Sequence, residues 1–406
     1  MKIYLDNGAT TRVIPEVAKA VYLAMTETYA NPSALHTAGQ EAERIMKQGR
    51  QQIAFSLNTK QPNIIFTGSG TEADNLALLT SFRNPTPENG QKLLISSVEH
   101  PAVKEPAAFL ASKGVELTEI PVLPKGKNAL GMIDLAAFEK LLGDNIGLIS
   151  VMHVNNEIGT IQPIEELTRI VSKYMNARGI AIPIHVDAVQ SFGKFQIDVT
   201  NGDFRRVDFV SMSAHKLHGP KGIGALYARN FRKVQPMIFG GGQEGGKRSG
   251  TENVPGIVGF GLATRTAISD IVAHAAAAAT ARKRLLDRIL SEIPEVQINS
   301  PLEHSTTGKP GHCSPYVLNV SFLDTRGEVI VHELERSGIY ASTGSACANL
   351  SKSARGGTLG AIGLTQAEAE GAIRFSFSRF NTVDEMDFVA EKLAFAVARF
   401  RNVGRK

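Results

Sequence analysis

The chain has 406 residues, 43% of them hydrophobic and 20% charged, which is the composition of an ordinary folded globular protein. Its net charge of +5 comes from scattered basic residues, so direct nucleic-acid binding, which needs a clustered basic patch, is not expected. Two cysteines, Cys313 and Cys347, are too few for a disulfide framework, so we expect thiols in a reducing, cytoplasmic compartment. The first residues lack the apolar region of a signal peptide, and the sequence predicts no membrane span.

Apolar segments alternate with helical segments through the first two thirds of the chain. A short strand in "NIIFTGSG" is followed by "TEADNLALLTSF", whose apolar residues have helical spacing. Further buried-strand candidates follow at 92–98, 115–122, 146–154, 182–189 and 207–213. This alternation predicts an α/β fold with an open, mostly parallel sheet covered by helices on both faces.

The pattern changes near residue 260. A long alanine-rich helix is predicted at 262–293, followed by short strand candidates and a closing amphipathic helix in "DEMDFVAEKL". These elements predict a second, smaller α+β domain. We therefore expect residues 15–260 to form the large domain, and residues 1–14 with 261–406 to form the small one.

Lys216 lies in "SMSAHKLHGPKG", just after a predicted strand. A lysine at the end of a buried strand loses hydration, which lowers its pKa and makes it nucleophilic toward a carbonyl. Taken alone, the same pattern also fits a surface lysine. Other segments are needed to decide between the two interpretations.

The segment "TGSGTEADN" places small residues at the end of a predicted strand, with Thr71 as the expected N-cap of the next helix. The free N–H groups at such a helix start form an anion site. The glycine spacing matches neither a Walker loop nor a dinucleotide-binding turn. By itself the segment also fits an ordinary helix cap.

Another predicted strand ends in "HVDAVQS", with Asp187 followed three residues later by Gln190. A buried carboxylate needs a partner, which a pyridinium N–H, a backbone group or an arginine would supply. His185 and Asp187 could be a fragment of a metal site, but no further ligand cluster accompanies them, so no metal is predicted.

Cys347 lies in "STGSACANLSKSARGG", among small and polar residues. Buried inert cysteines usually pack among large apolar neighbours, which this segment lacks. Gly344 and the surrounding serines and alanines favour a flexible loop that carries a reactive thiol. For Cys313, in "PGHCSPYVL", a buried inert or simple surface thiol is expected.

The order of the glycine turn, "SSVEHP", "HVDAVQ" and "SMSAHK" resembles pyridoxal-phosphate (PLP) enzymes of fold type I, and within them the class V aminotransferase branch. The resemblance extends from "YLDNGATT" to "RFSFSRF". "STGSAC" followed by "RFS" resembles more narrowly the cysteine desulfurases of the NifS/IscS type. This resemblance implies a mostly parallel seven-stranded sheet in the large domain, PLP as cofactor, and a homodimer.

The resemblance also implies roles for individual residues. Lys216 would hold the cofactor as a Schiff base, and Asp187 would pair with the ring nitrogen. His100 would stack on the ring, and Gln190 would reach its hydroxyl. The remaining cofactor contacts would come from Gly70, Thr71, Asn155, Ser213, His215 and, from the second subunit, Thr251.

The implied reaction converts L-cysteine to L-alanine. Arg374 would bind the substrate carboxylate, helped by Asn31 and Asn155. Lys216 would move the Cα proton, Cys347 would accept the sulfur as a persulfide, and His100 would assist with protons. The sulfur acceptor would be an iron–sulfur scaffold protein or a tRNA sulfurtransferase.

Three alternatives stay open from the sequence. They are a class V aminotransferase, a lyase acting on selenocysteine or another amino acid, and a silent binding partner that keeps the fold. After Cys347 the sequence "ANLSKSARGGTLGAIG" differs from the Glu-Pro-Ser-like helix start of the iron–sulfur-assembly members. This difference leaves the acceptor undecided.

Overall fold

The structure is a computed structural model that describes residues 2–82, 91–126, 129–302, 312–343 and 357–404. Within these residues, no single helix is long and apolar enough to cross a membrane, although helices Val254–Ile268 and Ile271–Glu292 together pass by length and composition.

The strands are β1 Ile3–Tyr4, β2 Ile64–Thr67, β3 Lys92–Ser96, β4 Glu116–Ile120, β5 Ile146–Met152, β6 Ile184–Asp187, β7 Phe209–Ser213, β8 Gly224–Ala228, β9 Val296–Ile298, β10 Val317–Phe322, β11 Ile339–Tyr340, β12 Ser342–Thr343 and β13 Ala372–Ser376.

The helices are α1 Pro15–Thr26, α2 Thr37–Ser56, α3 Gly70–Ser81, α4 Pro101–Ser112, α5 Leu135–Leu141, α6 Ile164–Arg178, α7 Val254–Ile268, α8 Ile271–Glu292, α9 Gly327–Arg336, α10 Thr358–Ala361, α11 Gln366–Glu370 and α12 Val383–Gly404.

Seven strands form the central sheet, in the order β2-β8-β7-β6-β5-β3-β4. Strand β8 pairs antiparallel with both of its neighbours, and the other pairs are parallel. Side chains alternate between two cores, with Ile64 and Phe66 on one face and Ile65 on the other. Burial of both faces explains why central strands such as β5 are nearly continuous apolar runs, whereas the edge strand β4 is partly exposed and carries charged residues. The predicted α/β fold class with a mostly parallel seven-stranded sheet is confirmed.

Two smaller sheets are built around the C-terminal third of the chain. Strands β12, β13, β10 and β9 form an antiparallel sheet, and β1 pairs in parallel with β11. A separate core contains Ile3 and Leu5 from the N-terminus together with side chains between Ala278 and Val397. This distribution supports the division into domains 15–260 and 1–14 with 261–406, which stays a prediction.

The single helix predicted at 262–293 is wrong, because two helices, α7 and α8, occupy this region with a bend of 76° between them. The Asp270 side chain accepts a hydrogen bond from the Ala273 N–H and caps the start of α8. An aspartate in this position satisfies a free N–H group of a new helix. The apolar spacing continues through the bend, which concealed it in the sequence.

Candidate active site

Two predicted site residues lie at the carboxyl ends of parallel strands in the central sheet. Asp187 ends β6 and Ser213 ends β7. Ligands of open α/β sheets bind at this edge, because the strands end there and the loops that follow can carry polar side chains. These candidate site residues therefore lie at the edge of the sheet where the fold provides an opening.

Lys216 follows β7 directly, at the end of a short 3₁₀ helix, Ala214–Lys216. Its Nζ donates hydrogen bonds to the carbonyl oxygens of Gly8, at 2.6 Å, and Ala9, at 2.8 Å. The side chain is partly buried. The strand end thus directs this amine against the N-terminal segment of the chain.

Asp187 is 6% exposed, and its Oδ1 accepts a hydrogen bond of 2.8 Å from the Val189 N–H. Burial, followed by the charge of Asp74, raises the pKa of Asp187 to about 7. A cationic partner would offset that burial and restore the charge. Gln190 donates from Nε2 to Gly8 O at 2.9 Å, so Gln190 and Lys216 share one carbonyl.

His100 caps the start of α4, and its Nδ1 accepts a hydrogen bond of 3.1 Å from the Ala102 N–H. Burial lowers the pKa of His100 to about 4, and the charge of Lys216 contributes in the same direction. The ring is therefore neutral near pH 7. Fully buried Asn155 donates to Val98 O at 3.1 Å, which ties the loop after β5 to the segment just before His100.

The cap of α3 is Ser69 and not Thr71, which corrects the prediction. Ser69 Oγ accepts the Glu72 N–H, whereas Thr71 is exposed in the first turn. Both residue types are good caps, and the sequence alone did not separate two candidates placed two residues apart.

The start of α3 packs closely against the end of β7 and the segment after β6. A Cβ added to Gly70 would lie 2.6 Å from Val189 Cγ2 and 3.3 Å from Ser213 Cβ, so only glycine fits there. The buried Ser213 Oγ has no hydrogen-bond partner among the described residues. Next to it in sequence, His215 faces Thr10 Oγ1 at 3.2 Å, and burial lowers its pKa to about 4. A free hydroxyl at a helix N-terminus fits a phosphate oxygen, and the nearby Asp187 fits a ring cation.

Arg374 lies on β13 and is 5% exposed. Its Nη2 contacts Asp6 Oδ1 at 2.7 Å, and its Nη1 donates to Asn156 O at 3.1 Å. Its Nε has no partner among the described residues. This guanidinium is held firmly and keeps a free donor.

Two predicted residues are not brought to these groups. Asn31 is exposed, and its Oδ1 accepts the Ser33 N–H at 2.9 Å. Thr251 is exposed and follows Arg248, which binds Glu72 at the start of α3 at 2.9 Å. Within the described residues, no hydrogen bond joins either to Arg374 or Ser213; Thr251 is predicted to act on the second subunit, and that stays a prediction. Cys347 lies outside the described residues. Cys313 is buried, and burial raises the pKa of its thiol.

Sequence analysis missed a group of buried titratable residues around Asp187. Burial raises the pKa of Asp74 to about 7 and that of Glu99 to about 8. Glu99 Oε1 accepts hydrogen bonds from Ser96 Oγ and from the Met152 N–H, at 2.7 Å for the latter. Both carboxyls lie within segments singled out for other residues, "TEADN" and "SSVEHP". The signal that could have identified Asp74 and Glu99 is a carboxylate within a segment of otherwise small or apolar residues.

Lys194 was missed as well. Its Nζ lies 5.4 Å from the centroid of the Tyr316 ring. Burial lowers its pKa to about 7, and the charges of Lys216 and Arg374 contribute. The Lys194 amine therefore lies close enough to Lys216 and Arg374 for their charges to act on it.

The comparisons with known proteins agree with this geometry. The family model described as aminotransferase class-V matches residues 3–389. A cysteine desulfurase of Trichormus azollae is 37% identical over 399 residues, covering 98% of this chain and 94% of the relative. Cysteine desulfurase IscS of Clostridium botulinum is 37% identical over 392 residues, covering 97% and 93%. A solved NifS-like protein has a TM-score of 0.87 at 35% identity, covering 98% of this chain and 100% of its own. The chain therefore belongs to the class-V aminotransferase family, among the cysteine desulfurases of the NifS/IscS type.

Proposed function

We propose that the protein uses PLP to convert L-cysteine to L-alanine and transfers the sulfur through Cys347 to an acceptor protein. One observation carries the proposal. Gly8 accepts a hydrogen bond from Lys216 Nζ at 2.6 Å, and a Cβ at Gly8 would lie 3.4 Å from Arg374 Cζ. A reactive amine and a proposed carboxylate receptor thus both lie beside the same glycine.

The residues that would hold the cofactor are those that converge at the strand ends. Lys216 would bind it covalently, Asp187 would pair with its ring nitrogen, His100 would stack on its ring, and Gln190 would bind its hydroxyl. Its phosphate would be bound by Gly70, Thr71, Ser213, His215 and a Thr251 donated by a second copy of the chain. When bound, PLP supplies an electron sink for the bond cleavage at the substrate.

Lys216 and His100 would take part in the proton transfers of the reaction. A lysine amine released from its covalent role is a base placed near the substrate Cα. Burial lowers the pKa of His100 to about 4, so the ring is neutral at neutral pH, and with Nδ1 accepting from the Ala102 N–H it would carry its proton on Nε2 and offer it to the substrate or to a thiolate. The charge of Lys216 acts on His100, which supports their proximity.

Arg374 would bind the substrate carboxylate with its remaining donors. Its bonds to Asp6 and Asn156 orient the guanidinium before substrate arrives. Asn155 and Asn31 would complete the substrate site. Asn155 is buried in the loop that contacts Arg374, whereas Asn31 would have to approach from an exposed loop.

Cys347 would take the sulfur. Its thiolate attacks the substrate sulfur as the substrate C–S bond breaks, so that L-cysteine and the thiol become L-alanine and a persulfide. Chain connectivity supports this role, because Thr343 pairs on β12 beside β13, and the four residues from Thr343 to Cys347 span at most about 14 Å.

The finer assignments follow from the same proposal. The acceptor would be an iron–sulfur scaffold or a tRNA sulfurtransferase, and the enzyme would act as a cytoplasmic homodimer. A reducing compartment keeps both thiols reduced, as persulfide chemistry requires.

The decisive experiment incubates the PLP-loaded protein with L-cysteine and a reductant, and measures alanine and sulfide. We expect both products in equal amounts. Cys347→Ser should abolish persulfide formation and keep the visible absorbance of the cofactor, and the matched control Cys313→Ser should behave as wild type. Transamination products in place of sulfide, or full turnover by Cys347→Ser, would contradict the proposal.

A further inference from the structure

The described residues on both sides of the segment 344–356 lie close to Arg374 in the fold. On the N-terminal side, Ser342 on β12 lies opposite Arg374 in the antiparallel pair with β13. On the C-terminal side, α10 begins at Thr358, which is 2% exposed. The segment that carries Cys347 is therefore fixed at both ends near the proposed receptor for the substrate carboxylate.

Thr358 makes side-chain contacts that a helix start does not require. Its Oγ1 donates to Glu157 Oε1 at 2.9 Å and accepts from Asn155 Nδ2 at 3.3 Å. The hydroxyl thus donates one hydrogen bond and accepts another, and both partners lie on one loop. That loop is 201 to 203 residues away in sequence. This loop follows β5, and the contacts join it to the first turn of α10.

The loop after β5 is itself rigid. Asn155 Oδ1 accepts the N–H groups of Glu157 and Ile158, each at 2.9 Å. The Glu157 carbonyl accepts from Asn319 Nδ2 at 3.1 Å. Burial raises the pKa of the Glu157 carboxyl, while the Thr358 hydroxyl, followed by the charge of Arg374, opposes this rise. Glu157 is thus held by its main chain and through its carboxyl.

The same loop binds the guanidinium of Arg374. Asn156 O, between the two residues that contact Thr358, accepts from Arg374 Nη1 at 3.1 Å. Three consecutive residues, Asn155 to Glu157, therefore connect the proposed substrate receptor with the end of the thiol-bearing segment. A displacement of Thr358 would alter the path of that segment while Arg374 keeps its bonds to Asn156 and Asp6.

We propose that Thr358 and Glu157 are positioning residues that fix the C-terminal end of the segment carrying Cys347 against the loop that orients Arg374. The inference rests on the proposed function, because it concerns the approach of the Cys347 thiol to the substrate sulfur. The pair serves sulfur transfer and contributes little to binding of the cofactor or of the substrate carboxylate.

The test uses the PLP-loaded full chain and the variants Thr358→Val and Thr358→Ser. Valine keeps the branched shape and removes the hydroxyl, whereas serine restores the hydroxyl. Thr168→Val is the matched control, since Thr168 is a buried threonine whose hydroxyl bonds Glu165 O in α6. Wild type must first release alanine from L-cysteine; if it does not, the proposed function fails independently of these variants.

Persulfide formation on Cys347, measured by rapid quench, should be about three- to tenfold slower in Thr358→Val, because the hydroxyl loses its hydrogen bonds to Glu157 and Asn155 and part of their net free energy appears in the rate. The KM for L-cysteine and the cofactor absorbance should stay within about twofold of wild type. Thr358→Ser should recover most of the rate, and Thr168→Val should match wild type. An unchanged persulfide rate in Thr358→Val, or an equal loss in KM and absorbance, would overturn the proposal.

A readout without cofactor uses the rate at which iodoacetamide alkylates Cys347 in the Cys313→Ser background. We expect Thr358→Val to change this rate and Thr168→Val to leave it unaltered. A double-mutant cycle with Glu157→Ala adds a second criterion, because partners in one contact give non-additive effects. The double variant should form persulfide no more slowly than the slower single variant. If the rate losses of the two single variants multiply in the double variant, the two residues act separately, which contradicts the proposal.

Discussion

Arg374 and Asp6 form an ion pair, with 2.7 Å between Nη2 and Oδ1, that joins the antiparallel sheet to the N-terminal segment. Arg374 is nearly buried, so its charge needs this partner in the absence of substrate. An incoming carboxylate would meet a guanidinium that is already oriented. Asp6 therefore holds the guanidinium in position before the substrate binds. It also occupies Nη2, a donor that the substrate carboxylate could otherwise use.

Replacing Arg374 by lysine should lower kcat/KM for L-cysteine about 10- to 100-fold, because lysine keeps the charge and loses the planar fork of donors. Steady-state kinetics would measure the loss, and the cofactor absorbance should not change. Arg379→Lys is the matched control, since Arg379 contacts His274 and Phe380. Equal kinetics for Arg374→Lys and wild type would exclude Arg374 as the carboxylate receptor.

Gly70→Ala should destabilise the protein by roughly 1–3 kcal/mol, since the added Cβ would lie 2.6 Å from Val189 Cγ2. It should also weaken PLP binding, because the start of α3 would shift. Denaturant unfolding and cofactor titration would measure the two effects. Adding Val189→Ala removes the clash, so the double variant should be more stable than the sum of the single changes predicts. Strict additivity would argue against this contact.

The carboxyls of Asp74, Glu99 and Asp187 should make the cofactor-free protein less stable as the pH rises. Burial raises their pKa values to about 7, 8 and 7, whereas the unfolded chain loses these protons near roughly pH 4. Their stabilising effect is therefore complete below about pH 4 and lost as the pH passes through about 7 to 8. Lys194, with a pKa lowered to about 7, acts in the opposite direction above that pH.

Glu99→Gln isolates one of these groups, because glutamine is neutral and keeps the oxygen that accepts from Ser96 and Met152. The stability of wild type relative to Glu99→Gln should fall between pH 6 and 8 by up to about 1.4 kcal/mol per pH unit. Denaturant unfolding at several pH values would measure the difference. Parallel pH profiles would mean that Glu99 is already ionised in the folded protein.

Asp270→Ala should cost about 1 kcal/mol of unfolding free energy, because it removes the cap of α8. Ser269→Ala is the neighbouring control, since Ser269 is exposed and bonds Thr266 O within α7. We expect this control to stay within about 0.5 kcal/mol of wild type. Equal unfolding free energies for both variants would show that the Asp270 cap does not stabilise the bend.

Six of the seven strands of the central sheet could be predicted, most of them from buried apolar runs such as Ile146–Met152, whereas β8, which follows the Gly/Pro turn after Lys216, was not. The bend before α8 was not predicted, because the apolar spacing continues through it, although Ser269 and Asp270 are residue types that favour caps and turns. The partnership of Arg374 with Asp6 connects residues 368 positions apart, and no local pattern encodes such a pair. Residue type at a strand end was informative; the identity of the partner depended on the tertiary fold.

The N-terminal segment has a consequence for the order in which the protein matures. The Gly8 carbonyl accepts hydrogen bonds from Lys216 and Gln190, and Asp6 pairs with Arg374. The partners of this short segment therefore come from three distant parts of the chain. During translation this segment emerges from the ribosome long before the last of them, so Asp6 stays without Arg374 until most of the polypeptide is made. The reaction centre is therefore completed near the end of synthesis, and nascent chains truncated before β13 should be inert.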